Sequence, residues 1–393
     1  MKIDWSGRSH RFKDQDIKYL TNIIKYADPL TQGKYLKKFE SDFSKYIKKK
    51  NTFAVSSAAA ALEIIAALLK LKKNDEIIIP AHTYCASAIP FARNGAKLIW
   101  ADIDFKSRTI DLKDFKNKVT KKTKAVVIVH LYGYAVDFRN IISFCKNKNI
   151  KIIEDCAQAL GAEIDKKKIG TFGDFSSYSF HSQKNITTLG EGGMLYVKDK
   201  KYAKKVPGLR HNGHAPFYFK RKNYWKPAMG NVDSDIKGQW PFKFTLSEVQ
   251  CGAGILMLKK LDKLNNLRVK RAINIIKYLS DFEELNFFSP KEKKRHVYHL
   301  LSAYFLPKKN ITRDDLIRLL YEKYNIKCVI QYYPLYKYDL FKKNGFNKAK
   351  CPNTDKFYNN MISFPFHVWM NEKEVQYLKL SIKKSLIELK KRK

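Results

Sequence analysis

Four places in the chain carry residue types that could do chemistry together. Lys184 lies just beyond the β-like run "FSSYSF", which contains Ser179, and before the glycine-rich turn "GEGG". Asp155 closes the apolar run "IKIIED", Tyr84 follows "IIIPAHT", and "VSSAAAAL" runs from a strand straight into a helix. A lysine amine forms a Schiff base with an aldehyde, and a carboxylate keeps a pyridine nitrogen protonated. An aromatic ring stacks on that pyridine, and the free N–H groups of a helix start hold a phosphate. Together these are the needs of pyridoxal phosphate, whose protonated ring is an electron sink.

Each residue has an ordinary reading when taken alone. Asp155 would cap a helix that follows it, Ser56 and Ser57 are common N-caps, Tyr84 would pack in a core, and Lys184 would be one surface lysine among many. The set gains meaning from the elements that must bring it together. In an open α/β sheet, ligands sit outside the carboxyl ends of the strands, and that is where these residues fall.

Strand-like apolar runs alternate with helix-like segments through the first half of the chain. "TFAV" precedes "AAAALEIIAALLKL", "EIIIP" precedes "TYCASAIPFARNG", "KLIWADI" precedes "LKDFKNKV", and "AVVIVHLYG" precedes "FRNIISFCKNK". The strands are apolar throughout instead of alternating, which predicts an α/β fold with a mostly parallel sheet covered by helices on both faces. The rhythm changes at "TLSEVQCGAGILMLKKLDKLNNLRVKRAINIIKYLSD", which predicts a long connecting helix with Thr245 or Ser247 as its N-cap. Beyond it, "VYHLLSAYF" and "KCVIQYY" read as strands, and "RDDLIRLLYEKY" and "NEKEVQYLKLSIKKSLIELKK" read as helices. The expected organisation is a large cofactor-binding α/β domain with an N-terminal helical arm over residues 1–245. A long helix and a smaller α+β domain would follow over residues 246–393.

The formal net charge of +40 raises nucleic-acid binding as a reading from another class. Its distribution argues against that partner. The lysines come in short scattered runs such as "IKKKN", "KLKKND" and "KDKKYAKK", with no aromatic-interleaved stripe. A positive field of this kind would instead steer an anionic small substrate. The six cysteines lie far apart with no metal-ligand spacing, so thiols are expected and no metal. No apolar run reaches the roughly 18 residues that span a bilayer, and "MKIDWSGRSHRF" lacks the apolar stretch of a signal peptide. The expected location is cytoplasmic, with no membrane partner.

Seven blocks resemble, in order, those of the DegT/DnrJ/EryC1/StrS family, which are pyridoxal-phosphate-dependent sugar aminotransferases of fold type I. They are "GKYLKKFESDFSKYI", "VSSAAAALEI", "EIIIPAHTYCASAIPFARNGAKLIWADID", "VIVHLYGYAVDF", "IIEDCAQALGA", "GTFGDFSSYSFHSQKNITTLGEGGML" and "LSEVQCGAGILMLKKLD". A looser match follows at "MISFPFHVWMNEKEVQYL". The resemblance implies that Lys184 forms the Schiff base, Asp155 partners the pyridine nitrogen, Gln158 neighbours the phenolic oxygen and Tyr84 stacks on the ring. Ser179, with Ser57 and the amides of Ala58 and Ala59, would hold the phosphate.

The same resemblance implies an amino-acid donor, glutamate, whose amine passes through pyridoxamine phosphate to a keto sugar. That acceptor would be a nucleotide-linked 4-keto-6-deoxyhexose, on the way to an amino sugar of a surface polysaccharide. A homodimer with shared active sites is also implied. Two departures stand out. The family's S-G-T is Ser57-Ala58-Ala59 here, and its N-Y-R-M is "KFTL", residues 243 to 246, where Lys243 would replace a contact to the neighbouring subunit's phosphate. The P-L-H stretch appears as "YPLYKYDL". Related sugar 3-dehydratases, the alternative within the family, carry histidine where this chain has Lys184.

Overall fold

Strands β1 (Thr52–Val55), β2 (Glu76–Pro80), β3 (Lys97–Ala101), β4 (Thr123–Val129), β5 (Lys151–Asp155), β6 (Phe175–Ser179) and β7 (Gly193–Val197) form one sheet. Their order is β1-β7-β6-β5-β4-β2-β3. Parallel pairing joins β3, β2, β4, β5 and β6. Strand β7 runs antiparallel to both of its neighbours, β6 and β1. The computed structural model describes residues 1–5, 11–214, 233, 235–288, 293–308 and 311–391.

The continuous apolar runs have a direct physical explanation in this sheet. Side chains alternate between faces along a strand, so Ile77 and Ile79 of β2 enter one core cluster while Ile78 enters another. Val127 and Val129 of β4 divide in the same way from Val126 and Ile128. Both faces are buried, as a mostly parallel sheet requires.

Helices α1 (Asp14–Tyr26), α2 (Lys34–Ile47) and α3 (Ala58–Leu69) come from the first half of the chain. The long helix expected after residue 245 is α4 (Glu248–Tyr278). Ser247 is its N-cap, with a capping box in which Ser247 Oγ accepts from Gln250 N–H at 3.3 Å and Ser247 N–H donates to Gln250 Oε1 at 3.2 Å. Helices α1 and α2 pack on α4 so closely that a Cβ at Gly254 would lie 2.5 Å from the Phe39 ring. The helices expected at "TYCASAIPFARNG" and "FRNIISFCKNK" are shorter, Ile89–Arg93 and Ile142–Asn147, each entered through a single 3-10 turn.

A second sheet, antiparallel and ordered β8-β9-β10, is made of β8 (Leu285–Phe287), β9 (Leu301–Phe305) and β10 (Met361–Phe364). Helices α5 (Arg313–Tyr324) and α6 (Glu372–Lys391) pack against each other beside it. The strand expected at "KCVIQYY" does not form. Val329 makes one bridge to Ser363, and the strand beside β9 is "MISF". Beyond that bridge the Gln331 N–H stays on Met361 Sδ at 3.1 Å, but the Gln331 carbonyl and the Tyr332 hydroxyl are held by other elements. Tyr132 Oη donates to the Gln331 carbonyl at 2.5 Å, and Gln158 Nε2 donates to Tyr332 Oη at 2.8 Å. Tertiary contacts here override an apolar pattern that favours a strand. All six cysteines are free thiols. Among the described residues, no helix is long and apolar enough to cross a membrane.

Candidate active site

Strand register assembles the site. Ser179, the last residue of β6, pairs with Gly193, and Gly193 pairs on its other side with Val55. The end of β6 and the turn into α3 therefore flank Gly193, about 10 Å apart at two strand spacings. A Cβ on Gly193 would lie 2.4 Å from the Ser57 carbonyl carbon and 2.7 Å from the Ala58 nitrogen. Only glycine lets the backbones come this close. Asp155 ends β5 one strand further along, paired with Ser177 of β6.

A cavity of about 320 Å³ opens at these strand ends. Ser57, Ala58, Ala59, Tyr84, Asp155, Gln158, Ser179 and Lys184 all line it. Lys184 is half-buried there. Burial draws its ammonium down to about 8, while the charges of Asp155 and Glu191 pull the other way. Asp155 is 5% exposed; its Oδ2 accepts from Ser87 Oγ at 2.7 Å and its Oδ1 from Ala157 N–H at 3.0 Å. No helix follows it, since residues 156–161 are turns and irregular backbone, so Asp155 is not a helix cap.

Ser57 does serve as the ordinary N-cap of α3, its Oγ accepting from Ala60 N–H at 3.0 Å. The amides of Ala58 and Ala59, in the first helical turn, have no partner inside the helix. Tyr84 is 54% exposed over the cavity, in an edge-type contact with Tyr332 at 5.9 Å between ring centres, and so is not a core residue. Gln158 bridges two walls: its Oε1 accepts from Tyr132 N–H at 2.8 Å, and its Nε2 reaches Tyr332. Each amide atom keeps one further hydrogen-bonding position. Ser179 Oγ accepts from His181 N–H at 3.4 Å.

Lys243 is exposed and does not line its own chain's cavity. Its backbone bridges His211, and the next residue, Phe244, accepts the Ser56 N–H at 3.0 Å, which fastens "KFTL" beside the start of α3. Ser56 does not line the cavity either. Sequence reasoning missed Thr83, Ser87, Gln183, Glu191, Gln331 and Tyr332, which all line it. Thr83 and Ser87 flank Tyr84 in "HTYCAS", and Gln183 and Glu191 flank Lys184, so proximity was their signal. Gln331 and Tyr332 had none, because their segment read as a strand.

The donor set fits pyridoxal phosphate. An amine with a weakened hold on its proton shares one cavity with a carboxylate, an exposed aromatic face, and helix-start amides beside a cradle that a Cβ would fill. A profile described as the DegT/DnrJ/EryC1/StrS aminotransferase family matches residues 11–383. The chain belongs to this family.

Members of the DegT/DnrJ/EryC1/StrS family are pyridoxal-phosphate-dependent aminotransferases, and solved sugar aminotransferases of the same fold are known in pyridoxal-phosphate and pyridoxamine-phosphate forms. This chain is 31% identical over 390 residues to the UDP-4-amino-4,6-dideoxy-N-acetyl-beta-L-altrosamine transaminase of Campylobacter jejuni, covering 98% of each. It is 30% identical over 350 residues to the GDP-perosamine synthase of Vibrio cholerae, covering 88% of this chain and 90% of the relative. Among solved structures, Helicobacter pylori PseC, an aminotransferase involved in the biosynthesis of pseudoaminic acid, superposes with a TM-score of 0.88. The identity is 25%, and the superposition covers 99% of this chain and 100% of that one.

Proposed function

We propose that this enzyme moves an amino group from glutamate to a nucleotide-linked 4-keto-6-deoxyhexose, supplying an amino sugar for a surface polysaccharide. One observation carries the aminotransferase chemistry: the Lys184 amine, drawn down to about 8, faces the same cavity as Asp155 and the start of α3. The sugar class rests on the relatives, since both the Campylobacter and the Vibrio enzymes are named for nucleotide-linked amino-sugar products or substrates. The two phosphates of such a substrate suit a chain of net charge +40.

When bound, pyridoxal phosphate supplies an aldehyde and an electron-withdrawing ring. The chain's residues then divide the remaining work. Lys184 in its neutral form holds the proton that leaves the donor's α-carbon, and its lowered proton affinity keeps that form accessible near neutral pH. Asp155 places a negative charge against the pyridine nitrogen, with Ser87 fixing its orientation. Tyr84 would cover the ring, and Gln158 would offer its remaining N–H to the phenolic oxygen. Ser57, Ser179 and the Ala58 and Ala59 amides hold the phosphate. Lys243 reaches the phosphate of a second copy, so the working unit is a cytoplasmic homodimer in which each large domain, to residue 245, serves its partner's site.

Borohydride reduction of the purified protein followed by peptide mapping should tag Lys184, together with an absorbance band from the bound cofactor. A tag on another lysine would sink this assignment. Lys243→Ala should weaken cofactor retention, and a fully active monomer would remove the shared-site element.

A further inference from the structure

Lys184 also lines a second, smaller cavity of about 70 Å³. Gln183, Lys184, Gln331 and Tyr332 line both cavities, so the two adjoin. The smaller one adds Arg268, His299, His367 and the apolar Phe366. Its volume is several times what one water needs, enough for a small polar group.

Arg268, on α4, is 3% exposed. Its Nη1 donates to the carbonyls of Tyr298 and His299 at 3.4 Å each, and the guanidinium sits 5.6 Å from the centre of the Phe366 ring. Among the described residues, no carboxylate lies within ion-pairing distance of it. Burial lowers its proton affinity only to about 10, so it remains a cation at neutral pH. Arg11 and Arg271 add their charge to that of Arg268 at His367, and Glu374 opposes them. His367 is held below its ordinary value, mainly by burial, and its Nδ1 is buried without a partner. A buried cation with no counter-charge is costly unless an anion joins it, and the apolar surroundings strengthen the attraction when one does.

The geometry of the reactants says which anion this is. An amino-acid donor must bring its amine to the place of the Lys184 amine, and its α-carboxyl carbon lies only about 2.5 Å from that nitrogen. We infer that the Arg268 cavity receives a carboxylate of the amino-acid donor, held by the guanidinium with His367 as a second donor. This rests on the aminotransferase reading. It makes Arg268 the residue that selects an amino acid, in place of the sugar, for the first half of the exchange.

Glutarate, a dicarboxylate without an amine, is the probe. Calorimetric titration of the holoenzyme should show saturable binding, weakened roughly tenfold or more in Arg268→Gln, as expected for losing a charge-assisted contact. The donor's KM should rise in parallel, while reaction of the aminated enzyme with the keto sugar keeps its rate and the cofactor band persists. Arg268→Lys should recover part of the glutarate affinity. Equal affinity in wild type and Arg268→Gln would overturn the inference. Because Arg268 also holds two backbone carbonyls, Arg268→Gln could fail to fold. His367→Leu then decides the matter: glutarate bound as tightly as by wild type overturns the inference, and weaker binding supports it. A wild-type enzyme that transaminates but does not bind glutarate defeats this inference alone, whereas a protein with no cofactor band and no tag on Lys184 defeats the aminotransferase reading as well.

Discussion

On one wall of the main cavity, Asp155, Ser179 and Gly193 keep their places through the backbone ladder of a seven-stranded sheet. On another, Gln331 and Tyr332 sit on irregular backbone, held by side chains: the Tyr132 hydroxyl and Met361 Sδ on the Gln331 backbone, and the Gln158 amide on the Tyr332 hydroxyl. Ladder positions share their load over many cooperative bonds, whereas the second wall depends on a few side chains. The contrast suits an enzyme whose cofactor chemistry is constant and whose acceptor must be discriminated. The rigid wall carries the proposed cofactor residues, and the adaptable one borders both cavities.

Substitutions on each side should separate these behaviours. The largest effect belongs to Lys184→Ala, which should cost about 10⁴-fold or more in turnover through loss of the base. The protein should still fold and retain cofactor by equilibrium dialysis, and retained turnover would break the division at its strongest point. Asp155→Asn should lower turnover on the order of 10²- to 10³-fold, the scale of losing one preorganised charge. Its melting temperature should change little, because the amide oxygen can keep the Ala157 N–H while the amide NH2 donates to Ser87 Oγ, which accepts as well as donates.

Gly193→Ala tests whether the ladder wall tolerates adjustment. A Cβ within 2.4 Å of Ser57 forces backbone apart, so a loss of about 1–3 kcal/mol in denaturant unfolding is expected together with weaker cofactor retention. Tyr332→Phe removes the hydroxyl that accepts from Gln158 and should cost about 1 kcal/mol. Here KM for the keto sugar should shift while kcat stays near wild type; a kcat collapse would mean that both walls serve the chemistry.

The smallest effect concerns proton affinity. Amine labelling of Lys184 in the apoenzyme, followed by mass spectrometry, should titrate near pH 8, with reactivity rising as pH rises and the ammonium deprotonates. The negative charge of Glu191 favours the ammonium, so Glu191→Gln should move that titration to lower pH. A shift to higher pH would contradict the electrostatic account.

Local physics made much of this protein legible in its sequence. Unbroken apolar runs meant strands buried on both faces, and Thr245 or Ser247 placed the start of α4 to within two residues because an N-cap is a local signal; the structure chose Ser247, with Gln250 completing a capping box. Asp155, Ser179 and Lys184 could be assigned to one end of a sheet because parallel strands all present their carboxyl ends on the same side. Contacts between residues distant in the chain were decided by the tertiary structure. Gln158 and Tyr332 are 174 residues apart, and their bond helps to turn an expected strand into cavity wall. Glu248, the first residue of α4, accepts N–H groups from Gly33, Tyr35 and Leu36 and so caps α2 from the far half of the chain. Nothing in the sequence sets Arg268 apart from the other basic residues of α4, and only the packing of α4 against Tyr298, His299 and Phe366 buries its charge at the cavity that Lys184 also lines. Helical and strand periodicity says which face of an element is buried, and the partner that buries it is chosen when the whole chain has closed.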